Sequence, residues 1–215
     1  MGAYAEWSAP DLAERLARRY SRPIAYSLDP FNMEVVRPWP SSLIAIVGCV
    51  DNHLARRAIS DSMIGNAYSS PKALWWIDAG NGDEWGQVLV GNRGTAELRK
   101  AFDPDYSSCS KLPLPTVQHP GLAEAPETPL PDPNCAVAVA VGDQSPTINL
   151  AMSVLVVEVV RKLLLGELTW MQVYLSLRDG ALRVVEATPE NVGRMTGLRK
   201  TSLMVRRSKQ TQERR

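Results

Sequence analysis

Apolar positions change their spacing several times along the chain, and each change marks an element. From Ala9 to Tyr20, Leu12, Ala13 and Leu16 fall on one side of a 3.6-residue repeat, which predicts an amphipathic helix. Ser8 can cap it, Pro10 suits its first turn and Asp11 favours the positive end of the dipole. Arg22-Pro23 stops it, and Ile24 to Leu28 reads as a short strand closed by Asp29-Pro30. Ser42 to Val50 (SLIAIVGCV) is a continuous apolar run with β-branched residues. Such a run suits a central strand of a parallel sheet, covered on both faces. The following DNHLARRAISDSMIG predicts a helix capped by Asp51 or Asn52, with Leu54, Ala58, Ile59 and Met63 inward and Gly65-Asn66 at its end. Ala73 to Ala79 is another strand, Gly80 to Asp83 turns the chain, and Trp85 to Val90 returns antiparallel.

Between Pro104 and Pro146 the texture changes: nine of the 16 prolines lie there. Proline neither donates to a ladder nor continues a helix, so Asp103 to Pro133 reads as a long loop. Thr147 to Leu165 is the longest predicted helix, apolar on nearly all faces and therefore expected to be buried, with Gly166 at its end. Trp170 to Leu177 and Leu182 to Glu186, joined by Asp179-Gly180, predict a β-hairpin. Strand, helix, strand, helix, strand is the order of an open α/β sheet. Ligands of such sheets bind at the carboxyl ends of the strands. That rule directs attention to Val50-Asp51-Asn52.

Composition adds a division of charge. The net charge of +1 conceals eight basic residues and one acid from Asn191 to Arg215, against 16 basic and 22 acidic before them. The expected organisation is one domain over residues 1–190 and a basic, flexible tail over 191–215. The tail has no aromatic interleaving and no recognisable binding fold, so nucleic acid is not an expected partner. Cys49, Cys109 and Cys135 are too few and too scattered for a disulfide framework, and no CxxC pair suggests a zinc site. A reducing cytoplasm is the natural setting. The N-terminus is amphipathic rather than apolar, so it is no secretory signal. Glu158, Arg161 and Lys162 interrupt the longest apolar stretch, which argues against a membrane span.

The stretch GCVDNHLARR carries the chemistry most open to argument. A carboxylate at Asp51, delivered by a buried strand to the sheet's end, can hold magnesium, which bridges to substrate phosphates. Asn52 offers amide hydrogen bonds. Arg56, one turn on, can neutralise phosphate charge through a bidentate contact. The same residues also read as a simple N-cap and a solvated arginine, and both readings stay open at this level. His53 and His119 lack the acidic or cysteine spacing of a metal site, and Trp75, Trp76, Trp85 and Trp170 read as packing.

Three segments, in order, resemble one family. LIAIVGCVDNHLARRAI is similar to the strand and "CxDN-x-x-x-R" stretch of the ThiF, MoeB, HesA and ubiquitin-activating enzymes. ALWWIDAGNGDEWGQVLVGN resembles the family's next strand, its turn and its "GQV" strand. NCAVAVAVGDQSPTINLAMSVLVVEVVRKLLLGELTW resembles the cysteine, crossover loop and long helix that follow, nearest in flavour to the ThiF-family proteins of plasmid-borne PRTRC systems. The resemblance covers about Ala9 to Leu177.

It implies a Rossmann-like, three-layer α/β fold with a C-terminal β-hairpin and basic tail. The implied activity is ATP-dependent adenylation of the C-terminus of a ubiquitin-like or sulfur-carrier protein. By motif, Asp51 is the magnesium and adenylate aspartate, Asn52 and Arg56 flank it, and Cys135 falls where some members keep a cysteine that becomes linked to the activated protein. On its own residues Cys135 reads rather as a plain thiol, since Asp132 and Asn134 near it would not lower its pKa. The family's opening Gly-x-Gly-Gly-x-Gly turn, its ribose acid and its upstream Arg and Lys have no counterpart here, and the paired zinc cysteines are missing. The chain therefore reads as starting near the helix after that lysine, inactive alone or completed by a partner. Loss of the family's first strand predicts an unpaired edge beside Ser42–Val50, covered by a homodimer or by a chain that supplies the missing half. The other function class is a non-catalytic binding module of a plasmid or mobile-element system.

Overall fold

The fold is taken from a computed structural model, which describes residues 9–32, 34, 43–66, 73–103, 109–125, 145 and 147–205. Contacts divide the chain into two compact units, Met1–Trp39 and Pro40–Arg215. The first holds helix α1 (Ala9–Tyr20), with Asp11 in its first turn, Arg18 and Arg19 in its last, and a Glu14–Arg18 ion pair one turn apart. Ile24 to Leu28 is not a strand. Ile24, Tyr26 and Leu28 are exposed, and no strand among the described residues pairs with them. An extended segment between two prolines gains nothing from its β-propensity without a partner ladder.

The second unit is built on five strands: β1 (Leu43–Gly48), β2 (Ala73–Asn81), β3 (Trp85–Gly91), β4 (Trp170–Ser176) and β5 (Ala181–Glu186). They lie in the order β1-β2-β3-β4-β5. Only β1 and β2 run parallel; the other neighbours are antiparallel. Helix α2 (His53–Asn66) makes the crossover that a parallel pair requires. The sheet is therefore mixed α/β, with one β-α-β unit followed by a meander. β1 lies at the edge of the described sheet rather than at its centre, with Val47 42% exposed. An unbroken apolar run does not distinguish a central strand from an edge strand that lacks charged guards.

The pleat gives each sheet face its own set of residues. Ile44, Gly48, Trp76, Asp78, Leu89 and Gln172 point to one side, toward α2 and the one-turn helix α3 (Pro115–Gln118). Trp75, Ile77, Val88, Val90 and Val173 point to the other and form the main core with α4 (Ile148–Leu164), through Ile148, Met152, Val159 and Leu163. Met152 lies over Gly86, where a Cβ would come 2.3 Å from its sulfur. α4 is not buried all round. Leu150, Val154 and Val157 are 68%, 62% and 67% exposed, because one sheet face can cover only one stripe of a helix.

The proline-rich span is also more ordered than a loop. Pro115 opens α3 and Pro120 opens a 3₁₀ turn to Ala123, both at the position where a missing N–H costs nothing. Leu112 and Leu114 are fully buried, and Gln118 Nε2 donates to the carbonyls of Val90 (2.8 Å) and Pro113 (2.7 Å). Residues 189–205, of which 191–205 were assigned to the tail, form α5 (Pro189–Thr196) and α6 (Lys200–Leu203), with Val192 and Leu203 in the core. Residues 206–215 lie outside the described residues.

Candidate functional site at the carboxyl ends of the parallel strands

The parallel pair ends where the sequence directs attention. Chain register sets Gly48 of β1 beside Asp78 of β2, and the loop Cys49–Asn52 leads into α2. Asn52 is the residue that caps: its Oδ1 accepts from the Ala55 amide at 2.8 Å, which satisfies one of the helix's free donors. Its Nδ2 donates to Asp51 Oδ1 at 3.3 Å. Asp51 stays exposed, with its carboxylate at the mouth of the site.

Arg56 does not lie out in solvent. Its Nε donates to both carboxylate oxygens of Asp78, each at 3.2 Å, and the two side chains are 12% and 0% exposed. Only Nε is spent on this pair. Nη1 and Nη2 make no hydrogen bond with a described residue, and Nη2 lies over β2, where a Cβ on Gly80 would come 3.0 Å from it. Asp78 thus fixes the guanidinium by its inner nitrogen and leaves the outer fork for an acceptor. Burial raises the Asp78 carboxyl above the usual carboxylate range, and the Arg56 charge and hydrogen bond pull the other way.

Beneath the pair lies Trp76, fully buried, whose Nε1 has no hydrogen-bond partner among the described residues. A Cβ on Gly48 would come 2.8 Å from that nitrogen and 3.4 Å from Asp78 Oδ1, so only glycine lets β1 pass so close to the indole and the carboxylate. In the sequence Asp78 and Gly48 read as no part of a site, Trp76 reads as packing and Gly80 as the start of a turn. The signal was present: an acid inside the apolar run ALWWIDA must be exposed at the strand's end or paired inside.

The two described cysteines are held as thiols. Burial and then the Asp78 charge push up the Cys49 thiol, and burial pushes Cys109 up to about 12. Cys135 lies outside the described residues. His119 stands elsewhere, in contact with β4: its Nε2 is 2.5 Å from the Tyr174 hydroxyl and 3.4 Å from Gln172 Nε2, and burial lowers its pKa. Among the described residues no group of three or more His, Cys, Asp or Glu is set to hold a metal ion. No helix there is long and apolar enough to cross a membrane. No family model and no curated protein matches the chain.

A magnesium–nucleotide fits these residues in part. Asp51 offers one exposed carboxylate, which suffices for an ion whose other ligands are water and phosphate oxygens. The Nη groups of Arg56 offer two donors of the geometry that phosphate accepts. Further cations for a triphosphate are not found beside them among the residues that build this site.

Proposed function

We propose that this chain is a ThiF-family protein related to ATP-dependent adenylation of the C-terminus of a ubiquitin-like or sulfur-carrier protein, and that it does not complete that reaction alone. The observation that carries the reading is the Arg56 fork: Asp78 holds its Nε, its Nη groups make no hydrogen bond with a described residue, and it stands at the carboxyl ends of two parallel strands. Open α/β sheets bind ligands at that end. Three sequence segments resembling the family, in the family's order, add support.

ATP and magnesium would supply the electrophilic phosphorus that activates a carboxylate. The chain's own residues would orient and neutralise. Asp51 would hold the ion and Arg56 would meet phosphate oxygens with a fork fixed by Asp78, while Asn52 holds Asp51 and the start of α2. Phosphoryl chemistry draws its rate mainly from such positioning and charge, so a site short of cations is slow. These 215 residues contain no glycine-rich phosphate turn, so on this reading that part of the site comes from outside them. The experiment is ATP–pyrophosphate exchange with the purified chain, magnesium and a sulfur-carrier protein whose free C-terminal carboxylate can take up the adenylyl group. Exchange at background is the expected result, and a rate well above background overturns the claim of incompleteness.

A second reading, a non-catalytic binding module of a plasmid or mobile-element system, is favoured by the exposed apolar stripe Leu150–Val154–Val157 on α4. A surface of that kind marks interaction sites more often than catalysis.

A further inference from the structure

The far end of the sheet carries a second feature, independent of the nucleotide reading. β5 pairs with β4 alone, so its outer edge is open among the described residues. Between β5 and α5 runs a cleft of about 440 Å³, lined by Trp170, Arg183, Val185, Glu186, Asn191 and Arg194 among others. Asn191 Nδ2 donates to the Glu186 carbonyl at 2.9 Å and pins α5 beside the strand, which fixes the cleft's width at that end.

Its charge is one-sided. Arg183 and Arg194 are exposed, and neither makes a hydrogen bond or ion pair with a described residue. Glu186 is the single acid of the lining. The nearest acid on α5, Glu190, is held by Lys200 of α6. Trp170 offers an apolar wall, its ring 4.7 Å from Lys162, which is itself paired with Glu158 at 3.7 Å. The sequence after α6 has five basic residues and one acid, Glu213, so its composition does not match a basic surface.

We propose that this cleft docks an extended acidic segment of a partner polypeptide, which adds to the edge of β5 as a sixth strand. An open edge offers main-chain donors and acceptors to a second strand. Because side chains of a strand alternate, a segment with an acid at every second position sets its carboxylates on the face of β5 that carries Arg183, with Arg194 also in the cleft lining, and turns its apolar residues to the other face, that of Val184. Arginine suits such carboxylates, since its planar fork binds both oxygens.

The test uses the full chain and a fluorescein-labelled octapeptide of alternating valine and glutamate, followed by anisotropy. The same peptide with lysine for glutamate, and one with alternate backbone nitrogens methylated, serve as comparisons. Binding of the acidic peptide is expected, with no binding of the lysine peptide and at least ~10-fold weaker binding by the R183E/R194E variant. Both arginines are exposed, so the variant keeps its fold, which circular dichroism checks. Methylation keeps the charge but removes strand pairing, so it too is expected to abolish binding. Equal binding by the double variant overturns the role of the arginines. Full retention by the methylated peptide overturns the added strand and leaves a charged patch.

Discussion

Replacing Arg56 by methionine should expose what the buried pair contributes. Methionine keeps much of the side chain's length and apolar stem but takes away the charge and the donors. Asp78, with no exposure, then sits ionised without a cation, and burial has already raised its pKa. Removing one member of a buried pair costs about 3–5 kcal/mol, because the charge left behind keeps its desolvation penalty. Against a typical domain stability of about 5–15 kcal/mol, that is a large fraction. The cost depends on pH in a definite direction. A carboxyl whose folded pKa lies above its unfolded one binds protons more tightly when folded. Its contribution is most favourable below the unfolded value, near 3.8, and stability falls as pH rises from there through the raised folded value. R56M lifts that folded value further, so its deficit should be large at pH 7 and shrink toward pH 4. A double variant, R56M/D78L, removes both charges and should recover most of the loss. Urea unfolding at several pH values, read by tryptophan fluorescence, measures all three. A loss under ~1 kcal/mol at pH 7, or a double variant no better than R56M, would refute the claim that the pair is buried and mutually dependent.

Three further outcomes follow from the same contacts. G48A should destabilise by about 1–3 kcal/mol, because the new methyl meets the buried Trp76 nitrogen at 2.8 Å and neither ring nor strand can easily retreat; thermal unfolding checks it. His119 has a pKa lowered by burial, so the folded state prefers the neutral ring: stability should be full above about pH 6.5 and fall as pH drops through the lowered value, with H119Q removing that dependence in the same unfolding experiment. On α4, M152A should cost about 2–5 kcal/mol while V157A costs under ~1 kcal/mol, since Met152 is packed on the sheet and Val157 is 67% exposed; similar costs would contradict the one-sided burial of the helix.

Much of the fold was legible in the sequence because local signals agreed with tertiary ones. The alternation and turns around Trp85–Val90 and Trp170–Glu186 fix hairpins by short-range chemistry, and their strands formed where expected. Burial was less legible. β1 and α4 are both apolar enough to be covered on every side, yet one lies at the edge of the described sheet and the other keeps a bare stripe, since hydrophobicity does not report how many layers surround it. Prolines at Pro115 and Pro120 look like loop breakers but open short helical turns, a role that depends on the residues before them. At the site, local motif gave Asp51, Asn52 and Arg56, which lie within one loop and one helical turn. Asp78 comes 22 residues after Arg56, and only the parallel register brings it underneath. A pairing set by sheet geometry has no short-range signature.

The most direct test of the site is a titration of magnesium–ATP into the full chain, followed by the backbone amide signals of Cys49 to Arg56 and Asp78 to Gly80. The account predicts weak saturable changes there, with a dissociation constant on the order of 1 mM, that disappear in D51N, a substitution at an exposed residue that leaves the fold intact. Changes confined to other parts of the chain, or unaltered changes in D51N, would contradict it.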